Sequence, residues 1–343
     1  MNKIKYSLTF LLILFVTAST IFGSGGNRNG TAGATQLLIP VGARSIGLSG
    51  STLTTTAGVE ALYWNPANVV RGSHSADVMF SQTSYIADIG VTYGAITANI
   101  EGFGAIGFSI KTLAIGDIEK TTVDNPDGTG STFSPQFVTV GLTYSTLLSD
   151  RISVGITANL ITEQIDLVSA TGFSFNAGVT YNNLANIDGL SFAVVMKNIG
   201  PQMRYDGSGL YTTAETPNFA RSAQLYKIDA ATFELPSTLE MGLGYQLNVG
   251  DQNSLAISTL FQNNNFDADM YKIGAEYNYD NLLYLRGGYT FAPELSSDER
   301  VYGFTVGGGL KYVVGGMDFR LDYAFQDTKY FDGNNVITIG IGL

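Results

Sequence analysis

The sequence contains one histidine, His74, and no cysteine, which restricts the chemistry its side chains can perform. A His/Cys metal site, a Ser-His-Asp triad and a Cys-His pair each lack a component. No serine-plus-carboxylate constellation is recognisable around His74, so it reads as a structural or exposed residue. Carboxylates alone can hydrolyse glycosides, but only as a defined pair flanking the scissile bond, and strand spacing offers no such pair. Asp124 and Asp127 could meet calcium, yet their spacing does not match the twelve-residue EF-hand loop, and solvated turns are the better reading. The expectation is a protein without catalytic residues, metal or cofactor.

The charges that remain are informative because of where they fall. Met317, Phe319, Leu321, Tyr323 and Phe325 alternate with Asp318, Arg320, Asp322 and Ala324, which puts every charge on one face. Extending the same reading collects Glu240, Lys272, Glu276, Arg286, Lys311, Asp318, Arg320 and Asp322 on the non-apolar face of C-terminal strands. The corresponding positions near Thr139, Thr157 and Asn176 carry no charge. Both signs are interleaved, as in a self-neutralising ion-pair network lining one wall, to which Arg44, Glu60 or Arg71 could dock. A polar path for a solute is the sharper alternative, although conduction would favour a ring of a single sign.

The elements that position these residues read as membrane strands. Charged residues make up 14% of the chain against about 25% in ordinary soluble proteins, and glycine is abundant at 41 residues. No run of about 20 apolar residues follows the N-terminus, so helical spans are not expected in the mature chain. Lys3 and Lys5 precede an apolar stretch from Leu8 to Phe22 and then Gly23, Ser24, Gly25 and Gly26, the pattern of a secretory signal peptide. Cleavage after Gly23 fits, with Thr20 as an alternative and an uncleaved anchor helix as the competing reading. The absence of cysteine excludes lipoprotein processing and disulfides alike. A net charge of −11 repels nucleic acid, which is excluded as a partner.

A strand crossing an outer membrane turns alternate residues to lipid and lumen. Ile337, Ile339, Ile341 and Leu343 oppose Thr338, Gly340 and Gly342, and Leu239 to Gln246, Tyr271 to Asn278, Ile152 to Leu160 and Phe173 to Tyr181 repeat the alternation. Such segments from Asp77 to Leu343 number about fourteen, even as a closed antiparallel barrel requires. Short connections are expected around Asn99, Ser149, Asn183, Gly250, Asn281 and Gly315, and longer outer loops around Tyr85, Asn125, Ala170, Ala214, Asn264, Ser296 and Gly333. Both chain ends then fall on the periplasmic side. A soluble sandwich or propeller also alternates, but its polar face would meet water, whereas here that face is largely Gly, Ser, Thr and Asn. The expected organisation is a signal peptide over 1–23, an N-terminal hatch or plug over 24–75 and an all-β transmembrane barrel over 76–343. Within the hatch, Val59 to Tyr63 could make a helical turn that ends at Asn65-Pro66, because the residue before proline avoids helical geometry.

The stretch Val41-Gly42-Ala43-Arg44-Ser45-Ile46-Gly47-Leu48-Ser49-Gly50, followed by Ala61-Leu62-Tyr63-Trp64-Asn65-Pro66-Ala67-Asn68, resembles the N-terminal signature of the PorV/PorQ family, relatives of the FadL-like fatty-acid transporters. Leu235 to Leu239, Gly274 to Tyr277, Leu285 to Tyr289, Leu321 to Phe325 and Ile337 to Gly342 extend the likeness over the mature chain, while Asn68 stands where many relatives have glycine. The resemblance implies a fourteen-stranded, FadL-like barrel of the bacterial outer membrane whose hatch is seated by Arg44, Tyr63, Trp64, Asn65, Pro66 and Ala67. It also implies a non-enzymatic role in type IX secretion, with the translocon, attachment-complex subunits or sorting-domain cargo as partners. The loops offer the surface for them: Asp117 and Glu119 in one, and Tyr205, Tyr211, Phe219 and Tyr226 in Ile199 to Leu235, which is too aromatic for a freely solvated loop. The rival reading is a FadL-like channel for hydrophobic small molecules, which would need an apolar pocket beneath the loops. A purely structural surface protein is a third.

Overall fold

The computed structural model describes residues 30–214, 223–250 and 252–343. The signal segment expected over 1–23 lies outside the described residues. Fourteen strands form the wall: β1 (Ala76–Ser84), β2 (Gly90–Ile100), β3 (Gly104–Ala114), β4 (Gln136–Leu147), β5 (Ile152–Ile165), β6 (Val168–Asn182) and β7 (Leu190–Ile199), then β8 (Thr238–Val249), β9 (Asn253–Asn264), β10 (Met270–Tyr279), β11 (Leu283–Phe291), β12 (Tyr302–Val314), β13 (Met317–Thr328) and β14 (Asn334–Gly342). Each is antiparallel to the next, and β14 returns to pair with β1 from Asn335↔Ser84 to Gly342↔Asp77, closing the barrel.

The period-two pattern decides which way the wall faces. Val78 and Phe80 on β1, Leu321 and Tyr323 on β13 and Ile337 and Ile339 on β14 point outward and are 40% to 52% exposed, while Ser81, Thr83, Asp322 and Thr338 between them are buried. In water such a belt would be a large apolar liability, whereas in lipid it is the required surface. No helix among the described residues is long and apolar enough to cross a membrane.

The rims differ as expected with one exception. The longest connections are 200–237 and 115–135, both at the rim that also holds 292–301, and most turns at the opposite rim are short. The loop expected around Ala170 is instead a two-residue turn at Asp166 and Leu167, with Ala170 buried inside β6. Asp166 adopts a left-handed backbone at φ 49°, which aspartate tolerates, so the hairpin turns without the glycine or asparagine that would have signalled it.

Of the two chain ends, the N-terminal one lies outside the described residues. Leu343 lies at the rim of short turns, where its carbonyl accepts from Ser75 N at 3.0 Å. Ala32, however, bridges Glu234 in parallel and Gly33 N donates to Glu234 O at 3.1 Å, inside the longest loop at the opposite rim. From there residues 35–72 run along the inner wall as short helical turns, Thr35–Leu38, Ala43–Ile46, Gly58–Glu60, Ala61–Trp64 and Pro66–Arg71.

Replacing the lipid-facing Leu321, level with Ile339 across the β13–β14 ladder, by Arg is expected to cost about 2–4 kcal/mol and to reduce the assembled fraction, read as the heat-modifiable band on a cold gel.

Candidate functional site

The interior is built around the turn at Asn65. Because Pro66 disfavours helix at the residue before it, Asn65 leaves the Ala61–Trp64 turn at φ −152° and ψ 103°. Its fully buried side chain then makes three hydrogen bonds. Asn65 Oδ1 accepts from Ala67 N at 3.0 Å, and Nδ2 donates to Leu53 O and to Thr180 Oγ1 of β6, each at 2.8 Å. The wall makes room with glycine: a Cβ at Gly155 on β5 would lie 2.2 Å from Pro66 O, and one at Gly178 on β6 would lie 2.4 Å from Asn65 Oδ1. Trp64 Nε1 donates to Val41 O at 3.1 Å and Tyr63 OH to Leu37 O at 3.1 Å, which ties the motif back onto its own segment.

On the opposite wall four of the eight predicted charges meet the N-terminal segment in one chain of ion pairs. Arg44 grips Glu276 of β10 with two bonds of 2.9 Å and reaches Glu60 at 2.8 Å. Glu276 also takes Arg286 of β11 at 2.6 Å, Arg286 takes Asp322 of β13 at 2.5 Å, and Glu60 receives Arg320 of β13. Three guanidinium groups face three carboxylates, so the cluster is neutral. Such pairing is the condition for burying charge at all. Arg71, the other basic candidate, donates to Ser153 Oγ at 3.0 Å.

The remaining four charges lie elsewhere. Lys311 and Asp318 pair at 2.6 Å near the rim of short turns, and Asp318 also faces His74 Nε2 at 2.8 Å. His74 Nδ1 faces Asp77 of β1 at the same distance, so the only histidine spans from β1 to β13 as a structural bridge. Glu240 pairs with Lys197 of β7 at 2.9 Å, and Lys272 donates to Gln262 Oε1 at 2.7 Å.

Three inward charges on the first half of the wall were not anticipated from sequence: Lys111, Glu163 and Lys197, all buried. Lys111 Nζ donates to the carbonyls of Gln36 at 2.8 Å and Ile39 at 3.1 Å, and lies 4.8 Å from the Tyr63 ring centre. Lys197 lies 5.2 Å from Tyr63 and 5.3 Å from Trp64, so two ammonium groups flank the aromatic pair. Glu163 accepts from Gln36 Nε2 at 2.8 Å and from the Tyr205 hydroxyl. Burial, and after it the Glu163 carboxylate, raises the Tyr205 hydroxyl above the ordinary phenol range.

Between the segment and the rim of long loops is a cavity of about 530 Å³. Leu37, Ile39, Ile86, Leu113 and Phe137 supply apolar lining, and Lys197, Glu240, Gln262 and Lys272 supply polar groups. Lys272 forms no ion pair among the described residues.

The sequence description "Type IX secretion system protein PorV" matches residues 24–241, more than half of the chain. The chain belongs to the PorV family. No curated protein sequence matches it. Among solved structures this PorV-family barrel is similar to the Pseudomonas putida toluene transporter TodX, at 13% identity over 87% of this chain and 96% of that one with a TM-score of 0.55. It is likewise similar to the Ralstonia pickettii toluene transporter TbuX, at 15% identity over 88% and 98% with a TM-score of 0.53. A Pseudomonas aeruginosa FadL homologue matches at 12% identity over 88% and 98% with a TM-score of 0.51. These likenesses establish a FadL-like barrel fold, and fold and family together point to the bacterial outer membrane.

On the PorV-family barrel the loop candidates separate by environment. Asp117, which accepts from Ser134 Oγ, and Glu119 are exposed. Tyr205 is half-buried and stacks on Phe233 at 5.5 Å, within a cluster of Ala34, Leu37, Ile161, Met203 and Leu235. Tyr211 and Tyr226 are exposed on a small hairpin, and Phe219 lies outside the described residues.

Two outcomes follow for the N-terminal segment. Asn65→Ala should cost about 2 kcal/mol or more in buried hydrogen bonds and open residues 35–72 to protease while heat modifiability of the barrel persists. Wild-type protease resistance in that variant would refute the role given to Asn65. Arg44→Met leaves Glu60 and Glu276 under-compensated and should loosen the same segment by about 3–5 kcal/mol, with partial recovery when Glu276 is also replaced by Gln.

Proposed function

We propose that this protein is a non-enzymatic outer-membrane component of type IX secretion, exported by a cleaved signal peptide, which receives sorting-domain cargo or attachment-complex subunits on its outer loops. The observation that carries the reading is the family match over residues 24–241. The residues 35–72 serve in it as a plug. Support comes from the ion pairs of Arg44 and Glu60 with β10 and β13 on one wall, and from the carbonyl bonds of Lys111 on the other. A neutral, interlocked cluster of this kind favours a filled lumen over a conducting one.

A second reading is favoured by the cavity of about 530 Å³, whose size and mixed lining suit a small hydrophobic or amphipathic molecule. TodX and TbuX are toluene transporters by description, and a related channel activity here would use this cavity.

Affinity capture of the tagged protein from gently solubilised outer membranes, with mass spectrometry of proteins and small molecules retained, separates the two. Translocon, attachment subunits or sorting-domain proteins are the expected companions. Recovery of the barrel alone with a lipid-like molecule would transfer the conclusion to the channel.

A further inference from the structure

The cavity of about 530 Å³ is divided by chemistry. Its apolar wall lining, Ile86, Leu113 and Phe137, comes from β3, β4 and the connection after β1. Ile39, whose carbonyl receives Lys111 of β3, extends that side. Its charged lining, Lys197, Glu240, Lys272 and Asp267, comes from β7, β8, β10 and the connection between β9 and β10.

The charges of this second side do not balance. Glu240 is committed to Lys197 at 2.9 Å, and Asp267 is turned onto its neighbour Ala268, whose amide it accepts at 2.7 Å. Lys272 is left with a neutral partner, Gln262 Oε1 at 2.7 Å, and Gln262 is itself fixed by donating to Asn264 Oδ1 at 2.7 Å. An ammonium has three donor positions. Lys111 spends its own on the carbonyls of Gln36, Leu37 and Ile39, whereas Lys272 makes one bond among the described residues. It is half-buried, lines the cavity and meets no carboxylate at ion-pair distance, in contrast to the three paired guanidinium groups built around Arg44.

We infer that the cavity binds an amphiphile with a single anionic head group, a carboxylate or a phosphate, received by Lys272, and with its apolar body against Leu113 and Phe137. The inference rests on the second, cavity-based reading above and is independent of the secretion role. A neutral hydrocarbon would fill the apolar side and leave the ammonium unmet, and a small inorganic anion would meet the ammonium and leave the apolar side bare. A polypeptide would bring a donor and an acceptor with nearly every residue, and the side chains of Ile86, Leu113 and Phe137 offer nothing to satisfy them. The volume is that of a small-molecule site.

The test uses the full-length protein in nanodiscs of zwitterionic lipid, titrated with octanoate, octyl phosphate and octanol, with empty nanodiscs subtracted for partition into lipid. At least one of the two anions is expected to bind about tenfold more tightly than octanol, and the tighter of them identifies the head group. Lys272→Met should remove that advantage while octanol stays within about threefold, and Lys272→Arg should retain it. Leu113→Trp, which fills the apolar side, should weaken all three probes. Heat modifiability and protease resistance of residues 35–72 verify that each variant is assembled. Octanol binding as tightly as both anions, or an anion advantage that survives Lys272→Met, overturns the inference and leaves the cavity reading standing. Binding that Leu113→Trp does not weaken places the probes elsewhere and also overturns it. Failure of all three probes to bind the wild-type protein overturns the inference and the cavity reading together.

Discussion

Every backbone N–H and C=O in contact with hydrocarbon must find a partner in the protein, since an unmet group costs several kcal/mol there. The pairing of β14 with β1 is where this chain meets that demand, because it leaves no strand edge in the wall. The rest of the architecture is its consequence. A closed wall of fourteen strands encloses an interior, and alternate residues on every strand must then face either lipid or that interior. The inner positions are free of the apolar requirement, and it is there that the chain concentrates its charge, its amides and its small residues.

Residues 35–72 lie against that interior wall. Glycines on β5 and β6 let Pro66 and Asn65 approach the backbone of the wall, and on the other side Arg44 and Glu60 complete a neutral series with Glu276, Arg286, Asp322 and Arg320. The two walls hold the segment by different chemistry. One uses guanidinium–carboxylate pairing, while the other uses lysine on backbone carbonyls and on the Tyr63 and Trp64 rings. The larger space lies toward the long loops, where Lys272 borders a cavity of about 530 Å³, and a smaller one lies beside His74 and Asp318 toward the rim of short turns.

Much of this was legible in the sequence because a lipid-facing strand imposes a strict period of two. Strands such as Met317–Thr328 and Asn334–Gly342 declare their faces residue by residue, and the same reading put Glu276, Arg286, Arg320 and Asp322 inside. Periodicity gives the face but neither depth nor partner. It therefore could not separate those four from Lys311 and Asp318, which sit at a rim with His74. Lys111 and Glu163 escaped notice because each is a single charge among serines and threonines, and their partners in the segment, carbonyls and Gln36, are neutral. The same positions show the remedy: an isolated charge on an inward face signals a partner from outside the wall. The turn at Asp166 and Leu167 was missed for a different reason, since its left-handed residue is an aspartate unaccompanied by glycine.

The contact of Ala32 with Glu234 bears on the order of assembly. The described residues run from Ala32 at the rim of long loops to β1 at the other rim, so the ring surrounds this stretch as a bead surrounds a thread. A ring and thread of one molecule are made either by closing the ring around the thread or by drawing the free end through. Apart from each other, Arg44 and Glu60 pair with residues of β10 and β13, late in the chain. Until those strands are in place the two residues have only each other, so the ion-pair cluster is completed at the same late stage at which the first and last strands come within reach of one another.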